Sequence, residues 1–285
     1  MARLSKDDAR NHRKACDLVD LDRPLKLSEK EFVLEHFQES ATVTAPLAGA
    51  FFTPLELARD VSLGVHGDRI IDLCAGIGHL MWECTAHWKR RWENRPPREL
   101  VCVEKNPEYV RAGRKVLPEA TWICADVLDL PASLGTFDRA IGNPPFGSVE
   151  RSRNAPNYAG ARFEYHVIAV AAQLAPAGVF IIPANSAPFR LSGRVQHTPQ
   201  HNPAYEQFEK STGIRLAPTW PDIDTSAFVG QWRNVRAMPE VVRFDPETCE
   251  EVSPPARASR TAPPAPVPET PREPHEDAAP SGVLF

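Results

Sequence analysis

Between residues 69 and 183, short apolar runs alternate with helix-patterned stretches, and that alternation leaves the chain very few folds to choose from. RIIDLC (69–74), LVCVE (100–104), TWICAD (121–126), FDRAIGN (137–143) and GVFIIP (178–183) read as five strands. The stretches between them, among them HLMWECTAHWKRRW, NPEYVRAGRKVL and FEYHVIAVAAQLA, have a helical pattern. Strands with little polar character are covered on both faces, and strands separated by helices run parallel. The expected core is therefore a doubly wound α/β domain. YEQFEKSTG adds a helix, and weaker strands fall near 214–216 and 240–244. No internal repeat is evident.

The flanks differ from this core. Residues 1 to about 45 read as helical, with Phe32, Leu34 and Phe37 in a helix-compatible pattern over 30–38, capped by Ser28 with Glu31 three residues on. Proline makes up 29 of 285 residues, about twice the average share. Nine of those prolines lie in the last 33 residues, a stretch too poor in apolar side chains to form a core. The expected organisation is a helical extension over 1–48, the α/β domain over 49–250 and a disordered proline-rich tail over 251–285. No apolar run reaches membrane-spanning length, and the charged opening MARLSKDDAR is not a secretory signal, so a cytoplasmic protein is expected.

Six cysteines (Cys16, Cys74, Cys84, Cys102, Cys124 and Cys249) lack CxxC spacing. They read as buried free thiols, with neither a metal site nor disulfides expected. The formal net charge of −4 gives no global nucleic-acid signature, so any such argument rests on local patches.

In a doubly wound sheet, ligands bind beyond the carboxyl ends of the strands, so the residues just after each run are the ones to read. After the first come Asp72, Cys74, Ala75, Gly76 and Gly78, a glycine turn that lets backbone approach a ligand. It lacks the third glycine of a dinucleotide fingerprint (position 81 is Met81) and is no phosphate-binding P-loop. Glu104 ends the second run and suits a pair of ribose hydroxyls, though alone it is more often a solvated strand-end acid or a cap. Asp126 ends the third, and suits an exocyclic amine or, equally well, a cap for the turn that follows. After the fourth run comes Asn143-Pro144-Pro145-Phe146. Two prolines there cannot continue a ladder, and they fix an extended backbone. They would hold the Asn143 side-chain oxygen and the Pro144 carbonyl outward as two acceptors for an NH2 group, with Phe146 as a face for stacking.

DLCAGIG, Glu104, Asp126 and NPPF, each after a successive strand, resemble the class I S-adenosylmethionine-dependent methyltransferases. Within that class, NPP followed by an aromatic residue marks methylation of amino groups on adenine, guanine or glutamine. Upstream, Phe51-Phe52-Thr53-Pro54 is similar to the element preceding the glycine motif in N6-adenine DNA methyltransferases of the gamma arrangement. The resemblance spans residues from about 50 to 245. It implies a Rossmann-like, mostly parallel sheet of seven strands and S-adenosyl-L-methionine as cofactor. Thr53, Asp72, Cys74, Ala75, Gly76 and Gly78 would surround the methionine part. Glu104 would take the ribose, and Asp126, Val127 and Phe52 the adenine. Asn143, Pro144, Pro145 and Phe146 would hold and stack the target. The implied activity is transfer to N6 of adenine in DNA, in a restriction–modification, plasmid or phage setting. RNA adenine or guanine methylation and protein glutamine methylation are the alternatives. From another class comes a non-catalytic module binding cofactor and partner.

Arg151, Arg153 and Arg162 follow the NPPF motif, and Arg190, Arg194, His197 and His201 follow the fifth strand, where they suit a phosphate backbone about as well as solvent. Gamma-type DNA enzymes usually carry a target-recognition domain after the core, where the proline-rich tail is expected here. Specificity is expected from the N-terminal helices, from 184–205, from 217–236 or from a partner protein. The basic WKRRW stretch (88–92) reads as the far end of one long helix, a surface or partner face remote from the reaction.

Overall fold

A computed structural model describes residues 5–38, 51–147, 149–233 and 235–246. The proline-rich stretch beyond 250 and Cys249 lie outside the described residues. Described elements run in the order α1 (Lys6–Val19), α2 (Leu27–His36), α3 (Leu55–Leu63), β1 (Arg69–Asp72), α4 (His79–Cys84), α5 (His87–Trp92), β2 (Glu99–Glu104), α6 (Pro107–Val116) and β3 (Thr121–Cys124). Then follow β4 (Arg139–Gly142), α7 (Phe163–Leu174), β5 (Gly178–Ile182), β6 (Phe189–Arg190), β7 (Thr198–Pro199), α8 (Pro203–Thr212), β8 (Ala217–Pro218) and β9 (Glu240–Phe244).

Seven strands form one sheet in the order β3-β2-β1-β4-β5-β9-β8, and β6 pairs with β7 in a separate two-stranded ribbon. β1 to β5 are parallel, whereas β9 runs antiparallel to β5 and β8 antiparallel to β9. Strand order reverses between β1 and β4, which is where a crevice opens in such sheets. This is the Rossmann-like, mostly parallel seven-stranded fold that the sequence implies.

Strand side chains alternate between two apolar layers, as the pleat requires. Val179 and Ile181 of β5 join one layer, with Ile70, Leu100 and Ile141, under α1, α2, α3, α4 and α6. Phe180 and Ile182 join the other, with Ile71, Val101 and Val103, under α7 and α8. The helices start on their own signals. Asn106 caps α6 with Pro107 behind it, and Asn202 caps α8 with Pro203 behind it.

Several local expectations are corrected. α2 begins at Leu27, and its first turn is closed by the Glu29 carboxylate accepting from the Lys26 N–H at 2.8 Å, not by Ser28. The strand placed near 214–216 forms at Ala217–Pro218. The long helix over 79–92 is two short ones. The Thr85 hydroxyl and the Arg98 guanidinium take up the last carbonyls of α4, on Trp82 and Cys84, and Ala86 turns the chain at φ 49°. α5 then lies beside the start of β1, where buried Arg90 donates to Asp68 at 2.7 Å, so WKRRW still falls at the amino edge of the sheet. Among the thiols, Cys84 and Cys102 are buried, Cys16 and Cys74 are half-buried, and Cys124 is exposed because β3 is an edge strand.

Candidate active site

The glycine turn after β1, the ends of β2 and β3 and the loop after β4 meet in one cleft of about 650 Å³ at the carboxyl edge of the sheet. Asp72, the last residue of β1, is 1% exposed. Its Oδ1 accepts from the Cys74 N–H at 3.1 Å, while its buried Oδ2 has no partner among the described residues. Burial pushes its pKa up to about 7; the Cys74 N–H opposes that shift and the Glu104 charge adds to it. A buried carboxylate oxygen with no donor carries a desolvation cost that a cationic ligand would relieve.

Glu104 braces the glycine turn. Its Oε2 accepts from the Gly76 N–H at 2.9 Å and its Oε1 from the Asn106 N–H at 2.7 Å. Burial raises its pKa, and the N–H groups of Asn106, Gly76 and Lys105 oppose the rise. Gly76 has φ 55°, and a Cβ there would sit 3.0 Å from the Phe52 ring. Asp126 serves as the cap read as its alternative role, accepting from the Leu128 N–H at 2.9 Å, and it also pairs with Lys105 at 3.0 Å. Burial acts to raise the Asp126 pKa, but the Leu128 N–H and the Lys105 ammonium outweigh it and hold the carboxyl below its ordinary value.

Asn143 is fixed by the segment before α3. Its Nδ2 donates to the Phe51 carbonyl at 2.8 Å and to Thr53 Oγ1 at 3.0 Å. Both amide hydrogens are thereby used, and Oδ1 carries no donor among the described residues. The Phe51 carbonyl, which can only accept, also fixes which amide atom is the nitrogen.

Of the residues singled out in the sequence, Phe52, Thr53, Asp72, Cys74, Ala75, Gly76, Glu104, Asp126, Val127, Asn143 and Pro145 line the cleft. Gly78, Pro144 and Phe146 do not. Gly78 turns the chain into α4 at φ 103°. The Phe146 ring lies between those of Phe51 and Trp232, 6.4 Å from each, so a target would meet this aromatic group rather than a lone ring.

The sequence reading missed His79, Tyr109, Lys105 and Phe163, which also line the cleft. His79 stacks on Phe52 at 5.1 Å and bonds the Leu34 carbonyl at 2.9 Å. Burial and the nearby Arg233 charge lower its pKa to about 3, which keeps the ring neutral. Arg233 donates to the Leu34 and Phe37 carbonyls, so the end of α2 is tied to the cleft wall from two sides. The position of His79 directly after the glycine turn was the available signal; nothing local marks Arg233.

No family model and no curated protein matches the chain. Among solved structures, a methyltransferase subunit of a type I restriction–modification system from Streptococcus thermophilus aligns at TM-score 0.53 and 14% identity, over 77% of this chain and 48% of its own. A modification subunit assigned to a type I restriction enzyme of Vibrio vulnificus aligns at 0.52 and 13%, over 78% and 50%. A protein described as a class I S-adenosylmethionine-dependent methyltransferase from Listeria monocytogenes aligns at 0.55 and 11%, over 88% and 84%. This chain spans about half the length of the two restriction-system subunits. The fold is that of the class I S-adenosylmethionine-dependent methyltransferases. No described helix is long and apolar enough to cross a membrane.

Proposed function

We propose that the chain is an S-adenosyl-L-methionine-dependent N-methyltransferase of the cytoplasm, acting on an exocyclic amine, with N6 of adenine in DNA as the favoured acceptor. The catalytic domain in this reading is 49–250, with 1–48 as its helical extension. The observation that carries it is the fixed Asn143 amide, whose two hydrogens are consumed by Phe51 and Thr53 while Oδ1 stays free for an incoming N–H.

The cleft fits the cofactor on two counts. Asp72 Oδ2 lacks a counterpart that an ammonium or sulfonium would supply, and the strand-end acids Glu104 and Asp126 border the same space. Phe52, Ala75 and Val127 give it apolar walls for a base. When bound, S-adenosyl-L-methionine supplies an electrophilic methyl group.

An aromatic exocyclic amine is a poor nucleophile because its lone pair is delocalised into the ring. Asn143 Oδ1 would accept one of its hydrogens and favour a pyramidal nitrogen with the lone pair directed at the methyl, while Pro144, expected to supply the second acceptor, lies off the cleft wall. The amine nitrogen would bond to the methyl carbon as the methyl–sulfur bond breaks and a neutral thioether leaves, and it would then release one proton to water, so no strong base is required. Rate enhancement would come from alignment and fixed dipoles. In a duplex the target base must first leave the stack.

A tritiated-methyl transfer assay against duplex DNA, rRNA, tRNA and release-factor protein tests this reading, with nucleoside analysis of the product. N6-methyladenine in DNA is expected. Label confined to RNA or protein would move the acceptor class, and transfer to none of them would leave a binding module.

A further inference from the structure

After the NPPF loop, the chain from 151 to 205 holds a single acidic residue, Glu164, although the whole sequence has 37. Glu164 is fully buried, with its Oε1 2.5 Å from the Ser186 hydroxyl, so this stretch presents no carboxylate to solvent. It does present Arg153, Arg194, His197 and His201, all exposed, with Arg162 half-buried. The β6–β7 ribbon stands in the middle of the stretch, just beyond the carboxyl end of β5.

The loop that joins the two strands of that ribbon is bolted to the domain on its β6 side. The fully buried Glu240 carboxylate, at the start of β9, accepts from the Leu191 and Ser192 N–H groups at 3.2 Å and from the Ser192 hydroxyl at 3.0 Å. The Gly193 N–H donates to Asp224 Oδ1 at 2.8 Å, and the Thr225 hydroxyl donates to the Pro239 carbonyl at 2.6 Å beneath it. Residues 193–199 beyond this anchor are all exposed, and Val195 at the tip is 99% exposed between Arg194 and His197. A firmly anchored loop that presents a bare valine between an arginine and a histidine is poorly explained by solvation alone, since an exposed valine at a tip contributes nothing to the core.

We infer that the 189–199 ribbon is the element that grips duplex DNA in a groove. The inference rests on the nucleic-acid reading above and deepens it. A two-stranded ribbon fits the major groove of B-form DNA, about 12 Å wide, whereas the corresponding groove of A-form RNA is too narrow for side chains to read. Arg194 and His197 meet phosphates, and Val195 contacts base edges. Both ribbon and cleft lie at the carboxyl edge of the sheet, so a duplex held by one is presented to the other.

The test uses the full chain with Arg194→Glu, Val195→Glu and their double substitution. Melting temperature and cofactor titration serve as controls, and neither should change, because both side chains are exposed. KM for a methylatable DNA duplex should rise roughly tenfold or more in each single variant, and Arg194→Ala should reduce the salt dependence of duplex binding by about one phosphate contact. Binding of an RNA duplex of the same sequence should not respond. Unchanged KM for DNA, or equal losses on the RNA duplex, would overturn the assignment while leaving the methyltransferase reading in place. A parent chain that methylates no DNA at all would sink the ribbon assignment together with the DNA reading on which it rests.

Discussion

The two halves of the carboxyl edge carry opposite charges. On the β1–β3 side, Asp72, Glu104 and Asp126 are gathered around the cleft, and the first two are held above their ordinary pKa by burial. Past β4, from 151 to 205, the one carboxylate is buried and the exposed charges are arginines and histidines. In the proposed reading, the first half would receive a cation and the second a polyanion. A net charge of −4 hides this division, because it averages two surfaces of opposite purpose.

The largest effect is expected where the halves meet. Asn143→Ala should lower kcat by about 10²–10³-fold, the cost of losing one aimed hydrogen-bonding group, and leave cofactor affinity within a fewfold. Single-turnover transfer and calorimetry separate the two quantities. A large loss of cofactor affinity would instead merge the halves into one site.

On the acidic side, Asp72→Asn should weaken the cofactor by roughly 10–100-fold, the range of a hydrogen bond to a charged group. The pH dependence has a defined sign. The folded pKa of about 7 lies above the ordinary 3.8, so the unliganded fold is favoured with Asp72 protonated. That contribution is full below 3.8 and is lost as pH rises through 7. Cofactor affinity runs the other way, increasing from pH 6 to 8 as the carboxylate ionises, with proton release on binding. Calorimetry in buffers of differing ionisation enthalpy should detect that proton in the parent and not in Asp72→Asn.

On the basic side, Glu240→Gln replaces a carboxylate that anchors the ribbon and should cost about 1–3 kcal/mol of stability. Duplex affinity should fall with it while cofactor affinity holds, as thermal melts and fluorescence anisotropy would show. The smallest effect belongs to the amino edge. Lys89→Glu with Arg91→Glu, both exposed on α5, should change transfer by less than about twofold despite reversing two charges, because screened surface charges act over about 8–10 Å.

How far the sequence could be read follows from where each signal resides. Asp72, Glu104, Asp126 and Asn143 were legible because each ends a strand, and in a doubly wound sheet strand ends converge without further information. His79, Arg233 and Trp232 were not, since they are assembled by tertiary packing: Arg233 reaches carbonyls of α2 almost two hundred residues earlier in the chain. The break at Ala86 was invisible for the same reason. The pattern over 79–92 is sound for a single helix, but Arg98, well downstream, takes the Cys84 carbonyl and ends it. The ribbon over 189–199 shows no strand alternation and exists because Glu240 anchors it.

A crystal structure with S-adenosylhomocysteine and a short DNA duplex is the most direct examination of the whole account. It should show the sulfur directed across the cleft at Asn143 Oδ1, with the adenine amine of an extruded base between them and Asp72 close to the cofactor's ammonium. A cofactor seated away from the glycine turn, or a sulfur turned from Asn143 with the base still stacked, would contradict it.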